Sequence, residues 1–455
     1  MVTIGSDTQP GTILNIESAT SVGANIGAPG VPLIVGQADL DNGSASADTA
    51  KRITRPKQAR TEFGSPDNSL LTQAIQDALV DGAYPVYAIA PAEVDVTAED
   101  LSGNTGQDGT LANAPVLERE DEVTFTINST SKTTVFYWQG DPANATPGTD
   151  EVYVNPVTGE FRADEAMGNT GDEVDYSHAD YTNTFDEVTQ ATAFDGEYVR
   201  EVADFLVALN ENDSVVTDVK NKSESMEGNG WFNIAIAGAG SPYIDDAGTS
   251  TDELDGGYTN SYDTSRLQLI HPSRARDGQT LLGGYVGVRA EAGIDRSPIF
   301  NRISTHVDLL DNLTDSQIDH LISENVVPIE ERSGGARIIE DLTTVTASNS
   351  DEQAWQSGFA RLVTDFVAET VDEESEPFIG EFNREPVLNA LRGQIESELN
   401  ALLDTATIEA YSLIVESVDS QTAAVDVGIN TSDALRNIEI TVSAGEVLNA
   451  VSTEG

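Results

Sequence analysis

Cysteine is missing from the 455-residue chain, which excludes disulfides and thiolate chemistry. No run of roughly 18 apolar residues exists, and no basic segment precedes a short apolar one near Met1. Neither a membrane-inserted segment nor a secretion signal is therefore expected. Positive charge is scarce: 78 acidic residues stand against 23 basic ones, for a net charge of −55, and only 5 of the 23 are lysine. Without a basic patch large enough to neutralise phosphates, direct binding to nucleic acid or to anionic membrane is disfavoured.

What is present is acid on a folded chain. Hydrophobic residues make up 38%, enough for several cores and too much for a disordered polyanion. Acid enrichment with few lysines suits folding in molar salt, where charges are screened within about 3 Å at 1 M and self-repulsion becomes tolerable. A haloarchaeal or otherwise extremely halophilic source is expected, with loss of structure at low salt.

The chain alternates strand and helix signals. A short alternating strand at 12–16 follows Pro10-Gly11. The continuous apolar run at 31–36 reads as a buried strand. Residues 37–60 read as a polar loop holding a positive island, Lys51, Arg52, Arg55, Lys57 and Arg60. That island is either a solvated surface or a face placed against an acidic partner. Ser69 caps a helix with Leu71, Ile75 and Ala78 on one face, and a second buried strand follows at 86–90. From about 95 to 195 the helical period disappears. Alternating segments at 123–127, 133–138, 152–155 and 173–176, separated by Gly-, Pro- and Asp-rich turns, read as an inserted β-rich domain.

Beyond the insertion, 197–209 reads as a helix with Val199, Val202, Phe205, Leu206 and Leu209 on one face. Residues 213–218, 231–237 and 266–270 read as strands. The stretch 281–303, LLGGYVGVRAEAGIDRSPIFNRI, reads as a strand through Tyr285, Val286 and Val288 before a turn. Thr314 caps a helix to 323 with Gln317 placed for a capping box. Strands are expected at 326–329 and 336–339, then a long helix to an acidic break at 372–376. A second helix follows, with Leu388, Leu391, Ile395, Leu399 and Leu402 on one stripe. The chain closes with strands at 411–415, 423–429 and 437–442.

Catalytic signals are weak. The IAGAG at 236–240 lacks the third glycine of a dinucleotide fingerprint and a following Lys-Ser/Thr, so it reads as a strand-end turn. His271, Asp295 and a serine could be imagined as a triad, but nothing in their spacing supports one. His178 is isolated among acids, and His306 and His320 are too far apart for a helical ligand pair. No catalytic residue, cofactor or metal is expected.

Several strings resemble contractile tail-sheath proteins of tailed viruses. PGTILNI with SATSVGANIGAPGVPLIVG resembles the family's opening arm and first core strand. LTDSQIDHLISENVVPI matches a family segment in residue type, and 281–303 resembles the family's G-x-x-A/V-x-x-D…P-x-x-x-x-I signature. The C-terminal order, helix–F-I-G-x-x-N–helix–strands, resembles the sheath C-terminal domain, although Glu381 stands where the family often has lysine. The matches cover roughly 10–95 and 196–445.

The resemblance implies an α/β (α+β) multidomain fold, a mixed-sheet core with helices. The implied units are an N-terminal arm (1–30), a first core segment (31–95), an inserted outer β domain (96–195), a second core segment (196–345), a C-terminal sheath domain (346–430) and a C-terminal arm (431–455). It implies a structural subunit, not an enzyme. Subunits would stack as six-membered rings in a helical tube around a tail tube protein, with baseplate and tail terminator proteins as further partners. Contraction would drive the tube through the host envelope; the location would be the virion tail, after assembly in the host cytoplasm. Neighbours would be joined by strands donated from Thr12, Leu14, Ile16 and the intervening Ile13 and Asn15, and from Ile438, Glu439, Ile440, Thr441 and Val442. Arg384 and Arg392 would face the tube. The alternatives are the sheath of a virus-like contractile injection system and a halophilic α/β enzyme.

Overall fold

The computed structural model describes residues 2–4, 14–16, 30–138, 141–190, 199–239, 260–306, 308–332, 335–346 and 354–431. In the N-terminal arm β1 (Val2–Ile4) pairs antiparallel with β2 (Leu14–Ile16), Val2 opposite Ile16. The core begins with β3 (Pro32–Val35), β4 (Lys51–Ile53), α1 (Pro56–Phe63), α2 (Leu70–Val80) and β5 (Val86–Ile89). Ser69 caps α2 as expected, accepting the Thr72 N–H. The polar stretch 37–60 is not all loop. Lys51–Ile53 adds an antiparallel edge to β5, and Pro56, whose missing N–H costs nothing in a first turn, starts α1.

The insertion is a seven-stranded sheet made of β6 (Ala92–Asp100), β7 (Gly106–Thr110), β8 (Thr124–Ile127), β9 (Thr130–Phe136), β10 (Glu151–Val154), β11 (Glu160–Met167) and β12 (Glu173–Asp180). Its spatial order is β6-β12-β8-β9-β10-β11-β7. Alternate residues of β8, β10 and β12 are buried, so the sheet has one apolar face. β8 and β11 lie three places apart, which would separate them by roughly 14 Å in a flat sheet. The rings of Phe125 and Phe161 are instead 4.9 Å apart. The sheet therefore curls around a core of its own, shared by Val152, Val154, Val174 and Tyr176. β11 follows the Thr158-Gly159 turn as the strand–turn–strand pattern of 151–167 predicts, whereas β6 and β7 are not legible as strands in the sequence, because acidic residues and glycine dominate them.

The chain returns through α3 (Thr184–Gln190), α4 (Val199–Val202), β13 (Phe205–Ala208), α5 (Asp213–Glu227), β14 (Ile234–Gly238), β15 (Leu267–His271), α6 (Leu282–Ala292), β16 (Arg302–Ile303), α7 (Asp315–Ser323), β17 (Val327–Arg332) and β18 (Gly335–Ile338). The nine-stranded central sheet runs β16-β18-β17-β15-β14-β13-β3-β5-β4, parallel from β17 to β5 with antiparallel margins. This is the expected mixed-sheet α/β core. Both faces are covered, which explains its strands of unbroken apolar residues. Ile34, Val207, Ile236 and Ile270 pack against α1, α2 and α6, while Leu33, Leu206, Ala235 and Leu269 pack towards α5 and α7.

Three assignments change, two of them through complete burial and one through a cap. Phe205–Ala208 is a strand, not the end of a helix, because all four residues are enclosed between β3 and β14. Residues 213–218 begin helix α5: Asn212 accepts the Ser214 N–H as its cap, and Val215, Val216 and Val219 share one buried face. The 281–303 stretch carries α6, not a strand. Ten of its eleven helical residues are buried, so no apolar period shows. Its glycines let α6 approach α2: a Cβ on Gly283 would lie 2.3 Å from the Ala74 carbonyl oxygen, and one on Gly287 2.7 Å from that of Ala78.

The C-terminal region contains α8 (Gly358–Ser375), α9 (Glu385–Asp404), β19 (Ala410–Ser417) and β20 (Ala423–Asn430). α8 stops inside the expected acidic break of 372–376, at its far end. Helix continues through Asp372, Glu373 and Glu374 to Ser375, since their side chains lie on its outer side. The apolar stripe of α9 is as expected: Leu391, Ile395, Leu399 and Leu402 are buried.

Candidate subunit interface

β19 and β20 form a two-stranded antiparallel sheet over eight residue pairs, Ala410 opposite Asn430 to Ser417 opposite Ala423. One face rests on α9 through Leu413 and Val415; the other exposes Ile414, which is 55% accessible. Two strands are a marginal sheet on their own. Among the described residues neither outer edge has a strand partner, so both present rows of main-chain donors and acceptors.

The turn between α8 and α9 holds this hairpin in place. Gly380 has a φ of +92°, a left-handed conformation open to glycine without strain. Asn383 then donates from Nδ2 to Ser417 Oγ at 3.0 Å, Asp419 O at 2.6 Å and Thr422 O at 2.9 Å. Asp419 closes the hairpin turn by accepting the N–H groups of Gln421 and Thr422, and those bonds hold its carboxyl below the ordinary range. The asparagine of the F-I-G-x-x-N string is thus the pin between turn and hairpin. Around it Ile379, Phe382 and Val418 expose large apolar side chains, Phe382 at 77%. Such a patch beside open strand edges suits a protein contact.

Of the residues expected to donate strands, Leu14, Asn15 and Ile16 form β2 and pair with β1 of the same chain, in a small sheet separate from the central one. Thr12, Ile13 and Ile438 to Val442 lie outside the described residues. Arg392 is engaged within the chain: Nη2 donates 2.6 Å to Val415 O and Nη1 donates 2.8 Å to Asn389 Oδ1, tying α9 to β19. Arg384 is the exposed N-cap residue of α9, its guanidinium 5.8 Å from the Phe382 ring.

The other polar clusters are structural. His271 Nε2 lies 3.0 Å from Asp311, and Ser273 Oγ donates 2.8 Å to Glu211, so the serine and the histidine look to different acids. Between them Arg274 bridges Glu118 of the insertion and Glu211 of the core at 2.8 Å each. This joint fixes the insertion to the end of the parallel strands. Burial pushes the Glu118 carboxyl up, opposed by Arg274. His306 pairs with Asp77 at 3.1 Å, and His178 sits within β12. A second buried network joins Arg266 and Arg361 to Glu227 and Asp365, locking α8 onto α5 and β15. Nothing in the spacing of these residues announces either network. No group of three potential metal ligands occurs among the described residues, and no described helix is long and apolar enough to cross a membrane.

No protein-family model and no curated protein matches the sequence. Solved structures do match. The chain is similar to a protein of the contracted sheath complex of an extracellular contractile injection system, PVC, at 12% identity, 97% of this chain, 99% of that one and a TM-score of 0.56. It is similar to a protein of the six-fold symmetrised anti-feeding prophage baseplate, at 13% identity, 97% and 100% coverage and a TM-score of 0.55. It is also similar to the sheath tail protein of Desulfitobacterium hafniense, at 13% identity, 92% and 100% coverage and a TM-score of 0.53. At these identities the likeness establishes the fold, and the fold of this chain is that of contractile tail-sheath proteins.

Proposed function

We propose that the chain is the structural subunit of a contractile tail sheath. Subunits stack as six-membered rings around a tail tube protein, between a baseplate and a tail terminator, and contract to drive the tube through the host envelope. The observation that carries the reading is the open-edged β19–β20 sheet in a chain whose fold is shared with sheath proteins over nearly all its length. Strand addition satisfies such edges with main-chain bonds, and terminal arms such as β1–β2 and residues 438–442 are the donors in this reading. A strand tether of this kind survives rotation of the rings, and contraction needs no nucleotide if the contracted lattice is lower in free energy. The acidic composition supports a halophilic host, and location on a virion tail after assembly in the host cytoplasm follows from the sheath reading.

The test is electron microscopy of the purified chain in molar salt, with and without residues 1–18. Striated tubes or six-fold rings are expected from the full chain, and folded but unassembled protein from the truncation. Normal tubes from the truncated chain would refute strand donation by the N-terminal arm. A full chain that forms no rings or tubes, with or without a preformed tube, would refute the sheath reading.

A further inference from the structure

The scarce cations of this chain mostly meet carboxylates. Lys132 contacts Asp150, Asp164 and Glu165, Arg119 contacts Glu93 and Glu122, and Lys51 contacts Glu62. α1 breaks the pattern. Arg55, Lys57 and Arg60 are exposed, and among the described residues none of the three has a carboxylate partner. Arg60 donates only to Gln76 Oε1, at 3.2 Å. Lys57 and Arg60, three residues apart, share a helix face.

The placement of Arg55 and Lys57 also opposes local stability, whereas Arg60 lies in the last turn. Arg55 is the N-cap of α1 and makes no side-chain cap bond, and no acidic residue lies in the first turn. A helix N-terminus is already the positive end of the macrodipole, so cations there are unfavourable. Asp213 opens α5, Asp315 opens α7 and Glu385 opens α9 behind an Arg384 N-cap, while α2, α6 and α8 have no acid in the first turn. With 78 acidic residues to draw on, composition does not account for two cations, Arg55 and Lys57, at the N-terminal end of α1. Local rules broken without structural compensation mark functional surfaces.

We propose that Arg55, Lys57 and Arg60 dock a second copy of this chain, at the acidic corner formed by the end of α8 and the start of α9. The proposal rests on the assembly reading above and deepens it. In that corner Asp372, Glu373, Glu376, Glu381 and Glu385 are exposed, and no cation pairs with them among the described residues. Patch and corner are different surfaces, so the contact is head-to-tail. Such a contact propagates into rings or helices instead of closing a two-fold dimer. With screening lengths of about 3 Å at 1 M salt, only pairs in direct contact persist, and the patch sets register more than long-range attraction. A nucleic-acid partner is the weaker fit, because three cations face a net charge of −55.

The test is the full chain carrying Arg55→Glu, Lys57→Glu and Arg60→Glu, studied in molar salt by sedimentation and electron microscopy. Arg55→Glu and Lys57→Glu favour the helix dipole while Arg60→Glu, in the last turn, opposes it, so this variant should unfold near the temperature of the parent while associating roughly tenfold or more weakly. Adding Glu373→Arg, Glu376→Arg and Glu381→Arg to the same chain should restore association. If the triple variant does not fold, the milder pair Lys57→Gln and Arg60→Gln takes its place. Unchanged association of the folded variant would overturn the proposal and leave strand donation standing. Weakened association that the second set of changes does not rescue would overturn the assigned corner. Association unchanged while binding to a labelled oligonucleotide is lost would assign the patch to nucleic acid. A parent chain that never self-associates would overturn both this proposal and the sheath reading.

Discussion

Replacing Gly283 by alanine sets two energies of opposite sign against each other. Alanine is better than glycine inside a helix by about 1 kcal/mol. At Gly283, however, the new Cβ would stand 2.3 Å from Ala74 O, 2.6 Å from Ala74 Cα and 2.7 Å from Ala74 C, all main-chain atoms of α2. Main chain cannot rotate aside, so α2 and α6 must part by about 1 Å to reach ordinary contact, which weakens every packed pair along the seam. Overpacking of this kind costs about 1–3 kcal/mol, and rigid backbone on the far side puts this site at the upper end. The expected net is a loss of about 2 kcal/mol. Gly393 in α9 is the control, because a Cβ there meets nothing within 4 Å and Gly393→Ala should stabilise by about 1 kcal/mol. The assay is denaturant unfolding followed by far-ultraviolet circular dichroism in molar salt, comparing midpoints of the two variants with the parent. A Gly283→Ala chain as stable as Gly393→Ala would refute the close-approach account of α6.

Two further outcomes follow from the polar contacts. Asp204, whose Oδ2 accepts the Val31 N–H at 2.6 Å, has its carboxyl pushed up to about 7 by burial, and Glu369 is pushed up to about 8 by burial and by nearby Asp204 and Asp365. Both bind protons more tightly folded than unfolded, where carboxyls titrate near about 4. Their contribution is therefore full below about pH 4 and is lost as pH rises through about 7 to 8, so unfolding midpoints should fall between about pH 5 and pH 9. Asp204→Asn should flatten that fall, and an unaltered pH profile would count against it. Asn383→Ala removes three donor contacts to the hairpin; hydrogen exchange in β19 and β20 should accelerate while the central sheet stays protected, and unchanged exchange there would show that Asn383 is not the pin.

Residue pattern by itself determined the elements whose signals are local or one-sided. The Ser69 cap, the Thr314–Gln317 capping box and the α9 stripe each follow from a few neighbouring residues, and all are present. The central strands at Pro32–Val35 and Val86–Ile89 are legible because a sheet covered on both faces requires unbroken apolar runs. The Asn383 pin lies inside a string already notable for its resemblance, although nothing local says what it would bind. Tertiary structure alone decided the rest. Phe205–Ala208 and Leu282–Ala292 are apolar stretches whose period is erased by burial on most sides, and Asp213–Glu227 opens with valines and a threonine that mimic a strand. Their conformation is settled by neighbours: two parallel strands for the first, an Asn212 cap and one buried face for the second, and for the third a helix that only glycines allow so close. The basic cluster within 51–60 is legible in the chain, but which of its cations stay unpaired is not, and the open edges of β19–β20 are equally invisible, because being unpartnered is a property of surroundings.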